Sequence, residues 1–258
     1  MLIVFTYLIV AILGLSIGSF INVLIYRLPI ILGLETSQKD NLSIYKPRSF
    51  CPICNVKIPM YRNIPVFSFI FQKGRCAECK EKISLIYPFI EILTSLVFIV
   101  LFLINGPSIE FIFYSLSISI LLSIAVIDIE HRTIPNSLSI SLLLLGFVYS
   151  IFSNDLDPIS SFLGAVIGFS IFYSITIIYS YIKEEEEGLG IGDAKLLAAI
   201  GSNLGLQAIP MILLFTSLIG ILIGLFYYKN SNQKSFFKLS IPLAPSLSIS
   251  YVLYLLIN

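Results

Sequence analysis

Charged side chains are scarce in this sequence. Lys, Arg, Asp and Glu together make up 12% of the 258 residues, whereas hydrophobic residues make up 57% and the mean hydropathy is +0.96. Soluble domains carry charge on about a quarter of their residues, so this composition excludes an ordinary soluble domain. Apolar runs of about 20 residues recur, which is the length needed to cross a hydrocarbon core of about 30 Å. The sequence predicts an all-α polytopic membrane protein.

Further absences narrow the class of protein. No Lys or Arg precedes Arg27 and no small-x-small motif follows, so residues 2–26 are predicted to span the membrane rather than to form a cleavable signal peptide. The chain has one histidine and no pairing of Ser or Cys with His that is typical of nucleophilic hydrolases. No glycine-rich nucleotide fingerprint follows a strand. The net charge of +1 says nothing about partners, and no feature indicates nucleic acid.

The positive charges predict the topology. Ten of the sixteen Lys and Arg lie in the polar region 27–85, and positive charge accumulates on the cytoplasmic side. Gly14 and Gly18, four residues apart in the first span, predict close helix packing. About eight transmembrane helices, with both termini outside, also place the remaining basic residues inside. The predicted spans are 2–26, 86–104, 109–128, 134–153, 158–182, 193–206, 208–228 and 238–257.

Two acids lie at the predicted cytoplasmic boundary of the membrane. Asp128 ends the third span, and Asp193 opens the sixth, directly after Gly190 and Gly192. Ionisable residues in spanning segments are functional candidates by default. Two carboxylates at one membrane face predict an aspartic hydrolase, in which one activates water and the other polarises the carbonyl group. Closely spaced glycines would let a substrate backbone approach.

Structural explanations stay open for both acids. Asp193 is also a suitable helix N-cap, and Asp128 is also an interfacial acid in a short loop, followed by a helix with Thr133 as its cap and Pro135 in its first turn. Helix ends predict the two roles: Asp193 at an N-terminus starts as the base, and Asp128 near a C-terminus starts as the acid. The neighbouring Glu130 is a further candidate, as is His131, which is interpreted as a solvated loop residue.

All four cysteines lie in the polar region 27–85. They form two C-x2-C pairs, Cys51 with Cys54 and Cys76 with Cys79, separated by twenty-one residues. This pattern is typical of a structural zinc site with four thiolates and no open coordination position. Two disulfides or unlinked thiols are the alternatives, and a reducing cytoplasm disfavours disulfides. The metal would hold together a domain too small to build its own core.

The chain resembles the type IV prepilin peptidases, bifunctional leader peptidase/N-methyltransferases of the GxGD aspartic protease class. Short motifs carry the resemblance nearly from end to end, and they are Gly18-Ser19-Phe20-Ile21-Asn22-Val23, Arg27-Leu28-Pro29, Ser49-Phe50-Cys51-Pro52-x-Cys54, Asn63-Ile64-Pro65, Gly74-Arg75-Cys76-x-x-Cys79, Ile83-Ser84, Tyr87-Pro88-x-x-Glu91, Asp128 through Ile134-Pro135-Asn136, and Gly190-x-Gly192-Asp193-x-Lys195-Leu196. Two stretches depart from the family pattern: Tyr61-Arg62, and Ile241-Pro242-Leu243-Ala244-Pro245 near the end.

The resemblance implies a membrane-embedded endopeptidase of the bacterial cytoplasmic membrane. It would cut the basic leader from a prepilin or pseudopilin with a hydrophobic helix, then methylate the new amino terminus with S-adenosylmethionine. Asp128 and Asp193 would be the catalytic pair, with Gly190, Gly192 and Lys195 as a supporting loop. The implied organisation is a first transmembrane helix (1–26), a cytoplasmic zinc-knuckle domain associated with methyl transfer (27–85), and a transmembrane peptidase domain (86–258).

The residues that would hold the methyl donor are less defined. Gly74, Arg75 and Glu91 are the candidates, and Glu91 is equally interpreted as a packing acid of the second span. The acidic run Glu184-Glu185-Glu186-Glu187 would attract a basic leader, or is simply the solvated end of the fifth helix. Three other functions stay open: a peptidase with an inactive methyltransferase domain, a transporter, and a zinc-knuckle scaffold without chemistry.

Overall fold

The computed structural model describes residues 2–35, 42–183, 190–230 and 241–257. Over these ranges the chain forms α-helices and two short 3-10 turns, with two isolated β-bridges and no strand, so the predicted all-α fold is confirmed. The helices are α1 Leu2–Ile31, α2 Phe67–Phe71, α3 Ile86–Asn105, α4 Ile109–His131, α5 Asn136–Phe152, α6 Pro158–Lys183, α7 Ile191–Leu204, α8 Ile209–Asn230 and α9 Ala244–Ile257.

Every predicted span corresponds to one of the longer helices. By length and composition, α1, α3, α4, α6 and α8 are able to cross a membrane. Helices α5, α7 and α9 are shorter, and the 14 residues of α7 extend for about 21 Å. The chain is therefore a multi-pass membrane protein with at least five candidate spans, and a total of eight remains a prediction.

Several helix boundaries differ from those expected. Helix α1 continues to Ile31, with Pro29 in its last turn, so Arg27 is helical rather than the first residue of the loop. Helix α5 begins at Asn136, and Pro135 occupies the cap position. The prediction that Thr133 caps this helix is wrong, because the Thr133 hydroxyl is buried without a hydrogen-bond partner among the described residues. The fixed φ of proline leads into the helix instead.

The chain divides into two compact units, residues 1–115 and residues 116–258. In the first unit α1 packs along α3. A Cβ atom on Gly14 would lie 2.6 Å from Cα of Ser95, and one on Gly18 would lie 2.6 Å from Cα of Glu91. No larger residue fits at either position, so the close packing predicted from these two glycines is confirmed.

Arg27 fixes the polar segment of the first unit to α1. Its guanidinium group is buried and donates to the carbonyl oxygens of Ser43 (2.7 Å), Ile44 (3.0 Å) and Pro47 (2.6 Å). A buried cation is stable only where its donors are satisfied, and guanidinium groups offer five N–H donors in a rigid plane. Arg27 therefore orders the chain after residue 42 instead of presenting a free charge.

Helix α7 is the centre of the second unit, where α5 and α6 pack against it. Its residues Leu196–Asn203 are all buried. The backbones of Gly164 in α6 and Gly201 in α7 approach so closely that neither position has room for a Cβ atom. The Asn203 amide donates to the carbonyl of Leu142 in α5 and accepts from the hydroxyl of Ser117 in α4, both at 2.8 Å. Small residues and buried hydrogen bonds thus hold α7 in place.

Replacing Gly164 with alanine should loosen this packing. The new Cβ atom would lie 2.8 Å from the backbone carbonyl carbon of Gly205, and overpacking costs about 1–3 kcal/mol. We expect the midpoint of thermal unfolding, Tm, measured in detergent, to fall by several degrees. Gly220→Ala is the matched control, because its Cβ atom would meet the Ser246 hydroxyl at an ordinary 3.7 Å. Equal Tm values for the two variants would contradict this packing.

Candidate active site

Asp128 lies in the last turn of α4, which continues to His131. The interpretation of Asp128 as an interfacial acid in a short loop is therefore wrong: the residue is helical and 5% exposed. Its Oδ2 atom accepts the backbone N–H of Ala244, the first residue of α9, at 3.0 Å, and the N–H of Leu243 also donates to the carboxylate. The start of α9 therefore satisfies a carboxylate that lies 116 positions earlier in the chain.

Asp193 lies in the first turn of α7. The helix begins at Ile191 and Gly190 holds the cap position, so the prediction that Asp193 is itself the N-cap is wrong. As the third helical residue, Asp193 turns its carboxylate back to the N–H of Gly190, the arrangement seen in half of a capping box. Because Gly190 at the cap position has no side chain, that residue does not cover the Asp193 carboxylate.

Two contacts join the start of α7 to the segment after α4, and the carboxylates of Asp128 and Asp193 lie near enough for each charge to act on the other. A Cβ atom on Gly192 would lie 3.2 Å from Cβ of Ile134, so the absence of a side chain lets the two segments meet. The Nζ atom of Lys195 donates to Oδ1 of Asn136 at 2.8 Å. The fold thus brings together two acids that no spacing in the sequence could place side by side.

The helix ends do not show which of the two aspartates starts as the base and which starts as the acid. Asp128 was expected to meet only the negative end of α4, but the N-terminal N–H groups of α9 donate to it. Both carboxylates thus meet the positive end of a helix. The physical argument that made Asp193 the base and Asp128 the acid is therefore lost, and the pair is best treated as one titrating unit.

The other candidates near Asp128 take different positions. His131 ends α4 and its side chain is 15% exposed, with Nε2 3.9 Å from Oε2 of Glu130, so the interpretation of His131 as a solvated loop residue is wrong. The side chain of Glu130 is 42% exposed. The acidic run 184–187 lies outside the described residues, and its interaction with a leader remains a prediction.

The cysteines form two turns of the same design in the first unit. In each turn the N–H of the first cysteine donates to a carbonyl five residues later, from Cys51 to Val56 and from Cys76 to Glu81. One antiparallel bridge closes each turn, Phe50 with Lys57 and Arg75 with Lys82. The two turns, which we name the zinc knuckles (residues 50–57 and 75–82), thus present two sulfur atoms each.

The four sulfur atoms fit a tetrahedral metal ion. All lie within 4.8 Å of one another, and the pairs Cys51–Cys79 and Cys54–Cys76 have Sγ atoms 3.9 Å apart. Zinc–sulfur bonds of about 2.3 Å in a tetrahedron separate the sulfurs by about 3.8 Å. Hydrogen bonds from the backbone N–H of Cys79, then of Glu78, lower the pKa of the Cys76 thiol to about 7. These donors favour the thiolate form of Cys76, which is the form that ligates a metal, whereas burial and hydrogen bonds with the other thiols raise the pKa of the Cys79 thiol to about 12.

A cavity of about 690 Å³ lies beside the zinc knuckles within the first unit. Ligand sites commonly measure about 300–1,000 Å³ and combine aromatic walls with a few polar groups. The polar and aromatic groups lining this cavity include Ser19, Asn22, Tyr26, Tyr61, Tyr87 and Glu91. Of the three methyl-donor candidates only Glu91 lines it: Gly74 holds a left-handed turn (φ +66°) against Phe69, and Arg75 lies in a β-bridge.

Several residues of these sites escaped the sequence interpretation as individual candidates. Ser19 and Asn22 line the cavity, and they belong to the Gly18–Val23 motif, which signalled that the segment matters. Leu243 and Ala244 donate to Asp128, and they belong to the segment that departs from the family pattern. No signal in the sequence links that segment to Asp128, because backbone N–H donors leave no trace in residue identity.

Both units of the chain are similar to known proteins. Residues 12–104 match the bacterial peptidase A24 N-terminal domain, and residues 115–225 match the type IV leader peptidase family. A prepilin leader peptidase/N-methyltransferase of Legionella pneumophila is 35% identical over 95% of this chain and 89% of its own length. Proteins of the same name from Neisseria gonorrhoeae and Klebsiella pneumoniae are each 34% identical, over 82% and 79% of this chain and 78% and 87% of their own lengths. No solved structure matches the chain.

Replacing one cysteine in either knuckle should remove the metal. A site with three thiolates binds zinc far less tightly, so Cys54→Ser and Cys76→Ser should each lower zinc from about one ion per chain to near zero. Elemental analysis of the purified protein measures this directly. Acidification should also release zinc, because protons compete for the thiolates.

The control for this experiment is Ile53→Ser, an exposed position within the same turn. This variant should keep its zinc. A metal-free wild-type protein with disulfide-linked cysteines, or full zinc retention in Cys54→Ser, would contradict a four-thiolate site.

Proposed function

The chain belongs to the type IV leader peptidase family, and from that membership and the joined carboxylates we propose that Asp128 and Asp193 cleave the leader of type IV prepilin-like proteins. The enzyme then methylates the amino terminus that cleavage exposes. The observation that carries the proposal is the electrostatic proximity of Asp128, at the end of α4, to Asp193, at the start of α7. Neither a transporter nor a scaffold needs two acids held in this way.

The aspartate pair supplies acid–base chemistry for peptide hydrolysis. One carboxylate takes a proton from a water molecule, which attacks the scissile carbonyl carbon, while the other, protonated, donates a hydrogen bond to the carbonyl oxygen. A proton then passes to the leaving amine as the C–N bond breaks. Gly190 and Gly192 leave Asp193 open to an extended substrate backbone, and the bond between Lys195 and Asn136 holds α7 against α5 during the reaction.

The charges support a cytoplasmic cut. With eight spans and both termini outside, the basic region and both aspartates share the cytoplasmic face of the bacterial inner membrane. The substrate is a prepilin or pseudopilin with a basic leader and a hydrophobic helix that lies in the surrounding lipid. A glycine-rich approach to Asp193 suits the extended chain that joins leader and helix.

The cavity of the first unit supports methyl transfer. Tyr26, Tyr61 and Tyr87 offer aromatic surfaces for an adenine ring, and Asn22 and Glu91 offer polar groups. S-adenosylmethionine bound there would supply the methyl group. The zinc knuckles shape one wall, since Cys51 and Cys76 line the cavity, and a fully coordinated zinc is structural. Residues 27–85 thus serve methyl transfer, with the α1 and α3 faces that pack beneath them, and the peptidase chemistry belongs to the region 86–258.

The first experiment tests the carboxylates. In lipid, with a prepilin substrate followed by intact mass, Asp128→Asn and Asp193→Asn should each lower the cleavage rate by about 10²–10⁴-fold or more. Glu130→Gln is the matched control, because it changes an exposed carboxylate two residues away in the same helix. Cleavage at the wild-type rate by either aspartate variant would contradict the proposed catalytic pair.

The same intact-mass measurement reports on methyl transfer. With S-adenosylmethionine, the wild-type product should gain one methyl group, and both asparagine variants should still methylate a mature substrate that was cleaved beforehand. Cleavage without any methyl gain would favour a peptidase with an inactive methyltransferase domain.

A further inference from the structure

The Glu91 carboxylate has no cationic partner in the part of the chain that the structure describes. It lies on α3, a candidate membrane span, about 8 Å along the axis from the first residue, and it is 8% exposed. Within the described residues no Lys, Arg or His side chain pairs with it. Buried charges are normally paired, and an ionisable residue within a span indicates function.

Two neutral groups donate hydrogen bonds to the Glu91 carboxylate, which is able to accept further hydrogen bonds. Its Oε2 atom accepts the N–H of Val66 at 2.7 Å, and the hydroxyl of Ser19 donates to it as well. A carboxylate has about four acceptor positions, so about two stay available. Gly18 of α1 packs against the Glu91 backbone, and the Val66 N–H and the Ser19 hydroxyl hold its carboxylate.

Over the described ranges, the cavity beside Glu91 offers no other buried carboxylate. Glu78 and Glu81 also line it, but both are exposed, and Glu78 pairs with Arg62 at 3.4 Å. The buried cation of the lining, Arg27, has its guanidinium group bound to three carbonyl oxygens. Among the described residues, the cavity therefore presents a single buried carboxylate at the depth where α1 and α3 pack together.

We propose that Glu91 binds the free α-ammonium group of the cleaved substrate and accepts its proton for methyl transfer. This inference rests on the proposed methyl transfer and names the residue that prepares the acceptor. The two free acceptor positions suit an ammonium group, which carries three N–H donors. A site inside α3 also suits an amino terminus that begins a hydrophobic helix, since that terminus lies at the edge of the hydrocarbon.

The proton transfer balances the reaction. The α-ammonium group gives one proton to Glu91 and gains a lone pair. That lone pair forms the new N–C bond to the methyl group, while the electron pair of the broken C–S bond remains on sulfur as a neutral thioether. The methylated ammonium product carries the positive charge that the sulfonium loses, and the proton on Glu91 returns to solvent.

Glu91→Gln separates this role from a structural one. Glutamine keeps an oxygen that accepts the Val66 N–H, so a residue that only holds the loop would be replaced without loss. We expect methylation of a pre-cleaved substrate to fall by about 10²–10⁴-fold, while S-adenosylmethionine binds with unchanged affinity. Glu130→Gln, which changes an exposed carboxylate that does not line the cavity, is the control.

A binding measurement without methyl donor tests the same assignment. Wild-type protein should bind a mature substrate peptide with a free amino terminus at least about tenfold more tightly than its N-acetylated form, and Glu91→Gln should lose this preference. If Glu91→Gln loses zinc and fails to fold, the wild-type comparison still decides, because equal affinities for the two peptides would overturn the inference.

The results also distinguish failure of this inference from failure of the proposed methyl transfer. Normal methylation by Glu91→Gln would overturn the inference and leave the methyltransferase intact, whereas no methylation by wild-type protein would remove the proposed activity itself. Weaker binding of S-adenosylmethionine to Glu91→Gln, with the peptide preference kept, would assign Glu91 to the amino group of the methyl donor instead and so overturn the inference.

Discussion

Carboxylates withdrawn from water need donors, and this chain takes those donors from the first residues of helices. Asp128 accepts N–H groups from the start of α9, Asp193 accepts one from the start of α7, and Glu91 accepts the N–H of Val66 just before α2. The first N–H groups of a helix have no intrahelical partner and carry positive partial charge. Each of these carboxylates therefore depends on where a helix begins, and the packing of α7 and α9 fixes the geometry of the proposed catalytic pair.

The helices were predictable because hydrocarbon demands long apolar segments, and each of the predicted segments became a helix. The cysteine cluster followed from ligand spacing, and close packing of α1 against another helix followed from Gly14 and Gly18. Helix ends were less predictable: Gly190 and Pro135 took cap positions that side-chain preferences gave to Asp193 and Thr133. Sequence rules for caps assume a solvated helix end, whereas these ends pack against other segments.

The relation between the two aspartates was beyond the reach of sequence reasoning. Their joining requires Gly192 to pack on Ile134 and Lys195 to bind Asn136, which are contacts between segments about 60 residues apart. The donors to Asp128 come from backbone atoms, whose position depends on the whole path of the chain. For the same reason Glu91 could be suspected but not distinguished from Gly74 and Arg75 until its place in the cavity was known.

The paired design of the zinc knuckles has a consequence for biosynthesis. Each knuckle contributes two cysteines, and two thiolates alone hold zinc poorly, so capture of the proposed zinc ion would wait until Cys79 has left the ribosome. By then about fifty residues beyond the end of α1 have left the ribosome, whereas α3 is only about to emerge. Metal capture would thus close the polar segment as a finished unit just before the second long helix enters the membrane, and cellular zinc supply would act as a checkpoint during translation rather than only on the completed protein.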